Sequence, residues 1–171
     1  SPPDQALLFR AYAPHYEIET TGPFDRFGTV LWQADQAVPQ VDGTRPVVYR
    51  RLAFTHMNGR VMTQLVYTVW FPERPKAHAL DMLGGQLDGL VMRVTLDGDG
   101  TPLIWDTIHP CGCYHMFFPT ARLARRAAAT SLEEPPWVPF AIPAHWPHAL
   151  RDRTSMKPRC LPPTISITSM K

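Results

Sequence analysis

The chain is expected to fold as a mainly β protein, a β-rich α+β domain. An antiparallel meander would curve into a partial barrel or sandwich, with a few short helices and a proline-rich C-terminal strap. Three observations carry this expectation. Runs rich in Val, Ile, Tyr, Phe, Trp and Thr recur with a period of two, each closed by a turn signal. Two of those turns, Asn58-Gly59 and Asp97-Gly98, are dipeptides that favour hairpins. Finally, 19 of the 171 residues are proline, roughly twice the usual share. Proline lacks an N–H and fixes φ, so it works against long helices.

In chain order, residues 5–13 read as a short helix that stops before Pro14, with Leu7, Leu8 and Tyr12 at helical spacing and Asp4 as N-cap. Residues 15–20 alternate like a strand and end at Gly22-Pro23. Residues 28–33 form a second short apolar run, and residues 34–46 read as a loop, marked by Pro39, Asp42-Gly43 and Pro46. The clearest hairpin joins residues 47–55 to residues 60–71 across Asn58-Gly59. In the second arm, Val61, Leu65, Tyr67, Val69 and Phe71 share one face, and Met62, Gln64, Val66, Thr68 and Trp70 share the other. Both faces are largely apolar, which predicts a central strand covered on both sides.

Pro72 and Pro75 are expected to end that strand, and residues 76–89 to form a connection with one turn of helix near residues 77–82. Residues 90–96 and 103–108 make a second hairpin around the Asp-Gly-Asp-Gly turn at 97–100. Residues 114–118 offer a further strand. An Ala/Arg-rich stretch at 120–132, bracketed by Pro119 and Pro135, is the strongest helix signal. Beyond it, five prolines alternate with Trp137, Phe140 and Trp146 as the strap. Residues 1–153 are thus expected to form one domain, and residues 154–171, in which Thr-Ser-Met-Lys occurs twice, a weakly ordered tail.

The hydrophobic fraction of 44% and aromatic fraction of 11% are those of a globular chain. Net charge is +2 and the densest basic cluster is only Arg122, Arg125 and Arg126, so no nucleic-acid footprint is expected. No apolar run approaches the ~20 residues that span a bilayer, and no membrane partner is expected. The first residues lack the basic and apolar regions of a signal peptide. Three cysteines do not make a disulfide framework and leave the compartment open.

The chemistry concentrates in residues 108–120, which hold His109, Cys111, Cys113, His115 and Met116. In a straight strand the four Cys and His side chains would share a face, with successive ones about 6.6 Å apart, too far for one ion. A turn at Pro110 and Gly112 would bring some of them together. Three readings follow. In the first, zinc or another late transition metal is held by His109, Cys111, Cys113 and His115, completed by a distant residue such as His56, His78 or His15. The chain would then be a small metal-dependent hydrolase acting on a small-molecule or saccharide substrate. In the second, one cysteine is a thiol nucleophile or half of a redox pair, with His109 or His115 as base. In the third, the cysteines are small core residues, and tryptophans line a carbohydrate- or ligand-binding cleft.

Asp106, at the end of the strand entering this segment, is the carboxylate placed to orient a histidine or move a proton. Asp88 and Asp81 read as turn or cap residues. The 97–100 turn departs from a calcium loop at Pro102 and Ile108, where glycine and glutamate would be needed. His145 and His148 form a further pair beside Trp146.

Overall fold

The computed structural model describes residues 2–76, 78–81, 84–124, 137–139, 141 and 164–167. The expected Ala/Arg helix at 120–132 and the proline-rich strap lie largely outside them, as do the helical turn at 77–82 in part, the His145/His148 pair and most of the tail.

The fold is mainly β. One helix, α1 (Pro2–Ala11), precedes β1 (His15–Ile18), β2 (Thr29–Leu31), β3 (Gln40–Asp42), β4 (Tyr49–Met57), β5 (Arg60–Arg74), β6 (Gly85–Leu96), β7 (Pro102–Ile108), β8 (Met116–Pro119) and β9 (Thr164–Ile167). Strands β4 to β8 form an open antiparallel sheet in sequence order. Strands β2 and β3 make a separate antiparallel pair, and β9 lies parallel to β1 with His15 opposite Thr164.

The β4–β5 hairpin turns on Asn58 and Gly59, at φ 51° and 75°. Both left-handed values are those a two-residue type I′ connection needs. Its second arm is buried on both faces, as the alternation implies. Leu65, Tyr67 and Val69 lie under one side, and Met62 and Val66 under the other.

The first of these faces carries the core, in which α1 packs Phe9 against Leu65, Tyr67, Met92, Val94, Leu96 and Trp105. Phe9 meets the Tyr67 ring edge-on, with centroids 5.5 Å apart. The Tyr67 hydroxyl donates to the Phe9 carbonyl at 3.0 Å, so a buried phenol satisfies a carbonyl near the helix end. Tyr12 donates to the Gly100 carbonyl at 2.7 Å and ties the helix to the β6–β7 turn.

Four expectations are corrected. Pro72 does not end β5, because the ladder simply omits it: Phe71 pairs with Asp88, and the next pair is Glu73 with Gln86. The missing N–H faces Leu87, which takes φ 64°, so the irregularity is absorbed on the partner strand. As a consequence β6 starts at Gly85, five residues earlier than the apolar run suggests. The loop at 34–46 contains β3, whose polar composition conceals a short pairing with β2. Asp4 sits inside the first turn of α1 rather than capping it. No helix among the described residues is long and apolar enough to cross a membrane.

The core places its largest energetic weight on β5. Replacing the fully buried Leu65 with alanine removes a side chain from a site with few routes to collapse. A loss of about 2–5 kcal/mol is expected, read as a lower urea midpoint at unchanged m.

Candidate functional site

The site grows out of a length mismatch between β6 and β7. Val91 pairs with Ile108, the last residue of β7, but β6 reaches back to Gly85. The edge of β6 from Gly85 to Leu90 is therefore left to the loop that follows β7. Gly89 lets that loop approach. A Cβ there would stand 2.9 Å from Pro110 Cγ, 2.9 Å from Trp70 Cε3 and 3.0 Å from the Val69 carbonyl.

The loop folds as the alternation of Pro and Gly allows. Gly112 N–H donates to the His109 carbonyl at 2.8 Å, a β-turn with Pro110 at its second position. His109 N–H donates to the Cys113 carbonyl at 3.0 Å and closes the loop. Gly112 at φ 90° and Tyr114 at φ 54° supply the left-handed steps that reverse the chain into β8.

This turn splits the four clustered ligands into two groups. His109 and Cys111 come together, with Nδ1 and Sγ 2.9 Å apart. His109 Nε2 is hydrogen-bonded to Asp88 Oδ1 on β6. The carboxylate is an acceptor, so it fixes the proton on Nε2 and turns the Nδ1 lone pair toward Cys111. Cys113 N–H approaches Cys111 Sγ at 3.4 Å, and the Cys113 side chain is also a hydrogen-bond partner of that sulfur. Both cysteines are exposed and neither is in a disulfide.

His115 goes elsewhere. Its Nε2 lies 2.8 Å from Asp106 Oδ2, and the ring stacks on Phe117 with centroids 4.0 Å apart. Arg93 Nε donates to the same Asp106 oxygen at 2.7 Å, and Arg93 Nη2 contacts both Asp106 and His115. Asp106 is buried to 4% side-chain exposure and sits directly across the β6–β7 ladder from Arg93. It does take a histidine, but that histidine is remote in role from the thiols.

His56 is not part of either group. The ladder aligns Ile108 with Val91, Thr68 and Tyr49, and His56 lies seven residues further along β4. That is about 23 Å along the strand and about 14 Å across three strands. The register therefore places His56 well away from both groups. Asp81 accepts from Gly84 N–H at 3.2 Å, as a turn residue does. Asp97 in the 97–100 turn is taken up by Arg60 at 3.1 Å and Arg122 at 2.7 Å, so that turn is a docking point for cationic side chains.

The electrostatics follow from these contacts. Cys111 has its pKa brought down to about 7, first by the hydrogen bond from the Cys113 side chain; desolvation opposes this and is the next largest effect, and the Cys113 N–H and His109 then add to the lowering. For His109, burial pulls the pKa down, but hydrogen bonds to Asp88 and Cys111 outweigh it and the net direction is up. An acid lowered beside a base raised is the condition for a thiolate–imidazolium pair.

A nitrogen and a sulfur bound to one tetrahedral zinc stand about 3.5 Å apart, given bonds of about 2.0 and 2.3 Å. The observed 2.9 Å separation is a direct hydrogen bond. Among the described residues, no group of three or more His, Cys, Asp or Glu is arranged to hold an ion. Of the tryptophans, Trp105 belongs to the core, Trp32 and Trp137 are exposed, and Trp70 backs Gly89 beside the site.

No protein family, characterised protein or solved structure shows significant similarity to this chain.

Sequence reasoning considered Asp88 as a carboxylate by location but favoured a turn or cap role for it, and it missed Arg93. Continuing the β6–β7 register past Val91 and Ile108 sets Asp88 opposite Cys111 and diagonal to His109, which is the signal that would have found it.

Two predictions follow from this geometry. Asp106→Asn keeps the shape but leaves Arg93 without its anion. It is expected to cost about 1–3 kcal/mol in denaturant unfolding. Gly89→Ala forces Pro110 or Trp70 to move and is expected to cost about 1–3 kcal/mol in the same measurement. It should also slow Cys111 alkylation, because Pro110 adjoins His109.

Proposed function

We propose that the protein is a thiol-dependent enzyme of the acyl-transfer class, a hydrolase of small-molecule substrates with an activated carbonyl. Cys111 is the nucleophile, His109 the base and Asp88 the group that orients it. The observation that carries this reading is the continuous contact from the Asp88 carboxylate through both ring nitrogens of His109 to Cys111 Sγ. Nucleophile, base and orienting acceptor in hydrogen-bond sequence are the minimum that activated-thiol chemistry requires.

In this mechanism His109 Nδ1 takes the thiol proton, and the thiolate attacks the acyl carbon. The imidazolium returns the proton to the departing group, leaving a thioester on Cys111. Water, activated by the same nitrogen, then releases the acid and restores the thiol. Asp88 holds one tautomer and stabilises the imidazolium throughout. The exposure of Cys111 gives a substrate direct access to the sulfur.

Iodoacetamide alkylation followed by peptide mapping tests the nucleophile. The Cys111 rate is expected to rise with pH through a midpoint near 7, because the thiolate fraction grows as pH passes the lowered pKa. Asp88→Asn should shift that midpoint upward. Hydrolysis of p-nitrophenyl acetate should show a burst that Cys111→Ser abolishes. His109→Ala should lower the rate about 10²–10⁴-fold, the usual contribution of a positioned base. A Cys111 rate that follows an ordinary thiol, with a midpoint near 8.5, would sink the reading. Stoichiometric zinc in the purified protein, with activity lost on chelation and restored by zinc, would replace it with the metal-dependent hydrolase.

A further inference from the structure

The thiol reading uses Cys111 as the nucleophile and gives Cys113 no chemical step of its own. Cys113 is nonetheless exposed, and the loop holds it against the same sulfur. We propose that Cys113 is a resolving thiol, so that Cys111 and Cys113 exchange with small-molecule disulfides of the glutathione type and close to an intramolecular disulfide that switches the nucleophile off. The proposal rests on Cys111 being the attacking thiolate.

The geometry supports closure without refolding. Cys113 N lies 3.4 Å from Cys111 Sγ, so the Cys113 Cα is no more than about 4.9 Å from that sulfur. Even in a straight strand, residues two apart have Cα atoms about 6.6 Å apart, inside the range a disulfide spans. Gly112, at φ 90°, is the residue between the two cysteines. It can absorb the backbone adjustment that a bridge across one residue demands. A bridge in so small a ring is strained and easily reduced, which suits a reversible switch and not a structural staple.

The exchange balances in two steps. The Cys111 thiolate attacks one sulfur of glutathione disulfide, forming a Cys111–glutathione mixed disulfide and expelling one glutathione thiolate. Cys113 then attacks Cys111 Sγ and expels the second glutathione, which takes up the Cys113 proton. Two electrons pass from the protein dithiol to the glutathione disulfide. Excess reduced glutathione runs both steps backward. While the bridge is closed, Cys111 cannot attack a carbonyl.

The test uses the full chain, reduced and then incubated with glutathione disulfide, quenched in acid and mapped by peptide mass spectrometry. The expected product in the wild type has lost two hydrogens at a Cys111–Cys113 bridge and retains no glutathionyl group. Cys113→Ser is expected to accumulate the Cys111 mixed disulfide instead. Burst hydrolysis should disappear on bridging and return with dithiothreitol. A wild-type protein that accumulates the stable mixed disulfide at Cys111 would overturn the resolving role while leaving the nucleophile intact. Oxidation that instead joins Cys160 to either thiol would overturn it too. A Cys111 inert both to glutathione disulfide and to iodoacetamide at pH 7 would remove the nucleophile and the switch together.

Discussion

One antiparallel register, running from Tyr49 through Thr68 and Val91 to Ile108, fixes the position of the main sheet and of the site built at its edge. It is held by β5, which buries Leu65, Tyr67 and Val69 on one side and Met62 and Val66 on the other. A strand covered on both faces cannot slip by one residue without exchanging its two apolar sets, nor by two without breaking the Tyr67 contact to the helix. The same register sets Arg93 across from Asp106. It also leaves the start of β6 unpaired by β7, where the site is built.

The two aspartates of the site show how position decides role. Asp106 is buried and shared by a guanidinium and an imidazole, so its charge is compensated within the sheet. It works as an anchor, and removing its charge would strand Arg93. Asp88 is about a quarter exposed and meets the Gly89 N–H and His109. Its charge is directed at one imidazole, which in turn faces a thiol. Desolvation does raise the cost of ionising Cys111, and the loop overcomes it with nearby donors, the Cys113 side chain first.

Much of this was legible in the sequence. The mainly β class, the hairpin at Asn58-Gly59 and the two-faced character of β5 follow from period-two patterning, which depends on neighbouring residues alone. So does the turn at Pro110 and Gly112, since those residue types have few other uses. What escaped depends on partners distant in sequence. Strand β3 is polar and short and exists because β2 lies beside it. Pro72 reads as a strand end, yet the ladder tolerates it where Leu87 takes up the irregularity. Asp88 reads as a cap, and it is one for Gly89. Its second role appears only when the β6–β7 register is continued beyond the last pair. The density of ligands in residues 108–120 singled out the segment in which His109 and Cys111 meet, but density ignores direction.

Direction is set by the two ends of the loop. At one end His109 is tied back to Asp88 on β6, and at the other His115 is tied to Asp106 on β7. Between them the chain must reverse within a few residues, and Tyr114 accepts a left-handed backbone at φ 54° to do so. A non-glycine residue in that region costs on the order of 1 kcal/mol and persists only where the surroundings demand it. Here the demand comes from the opposite anchors, which pull the two histidines to different strands. A loop free at either end could gather both imidazoles around one ion. Fixed at both, it presents one imidazole to one sulfur, and the adjacent residues of the same turn bring the second sulfur alongside.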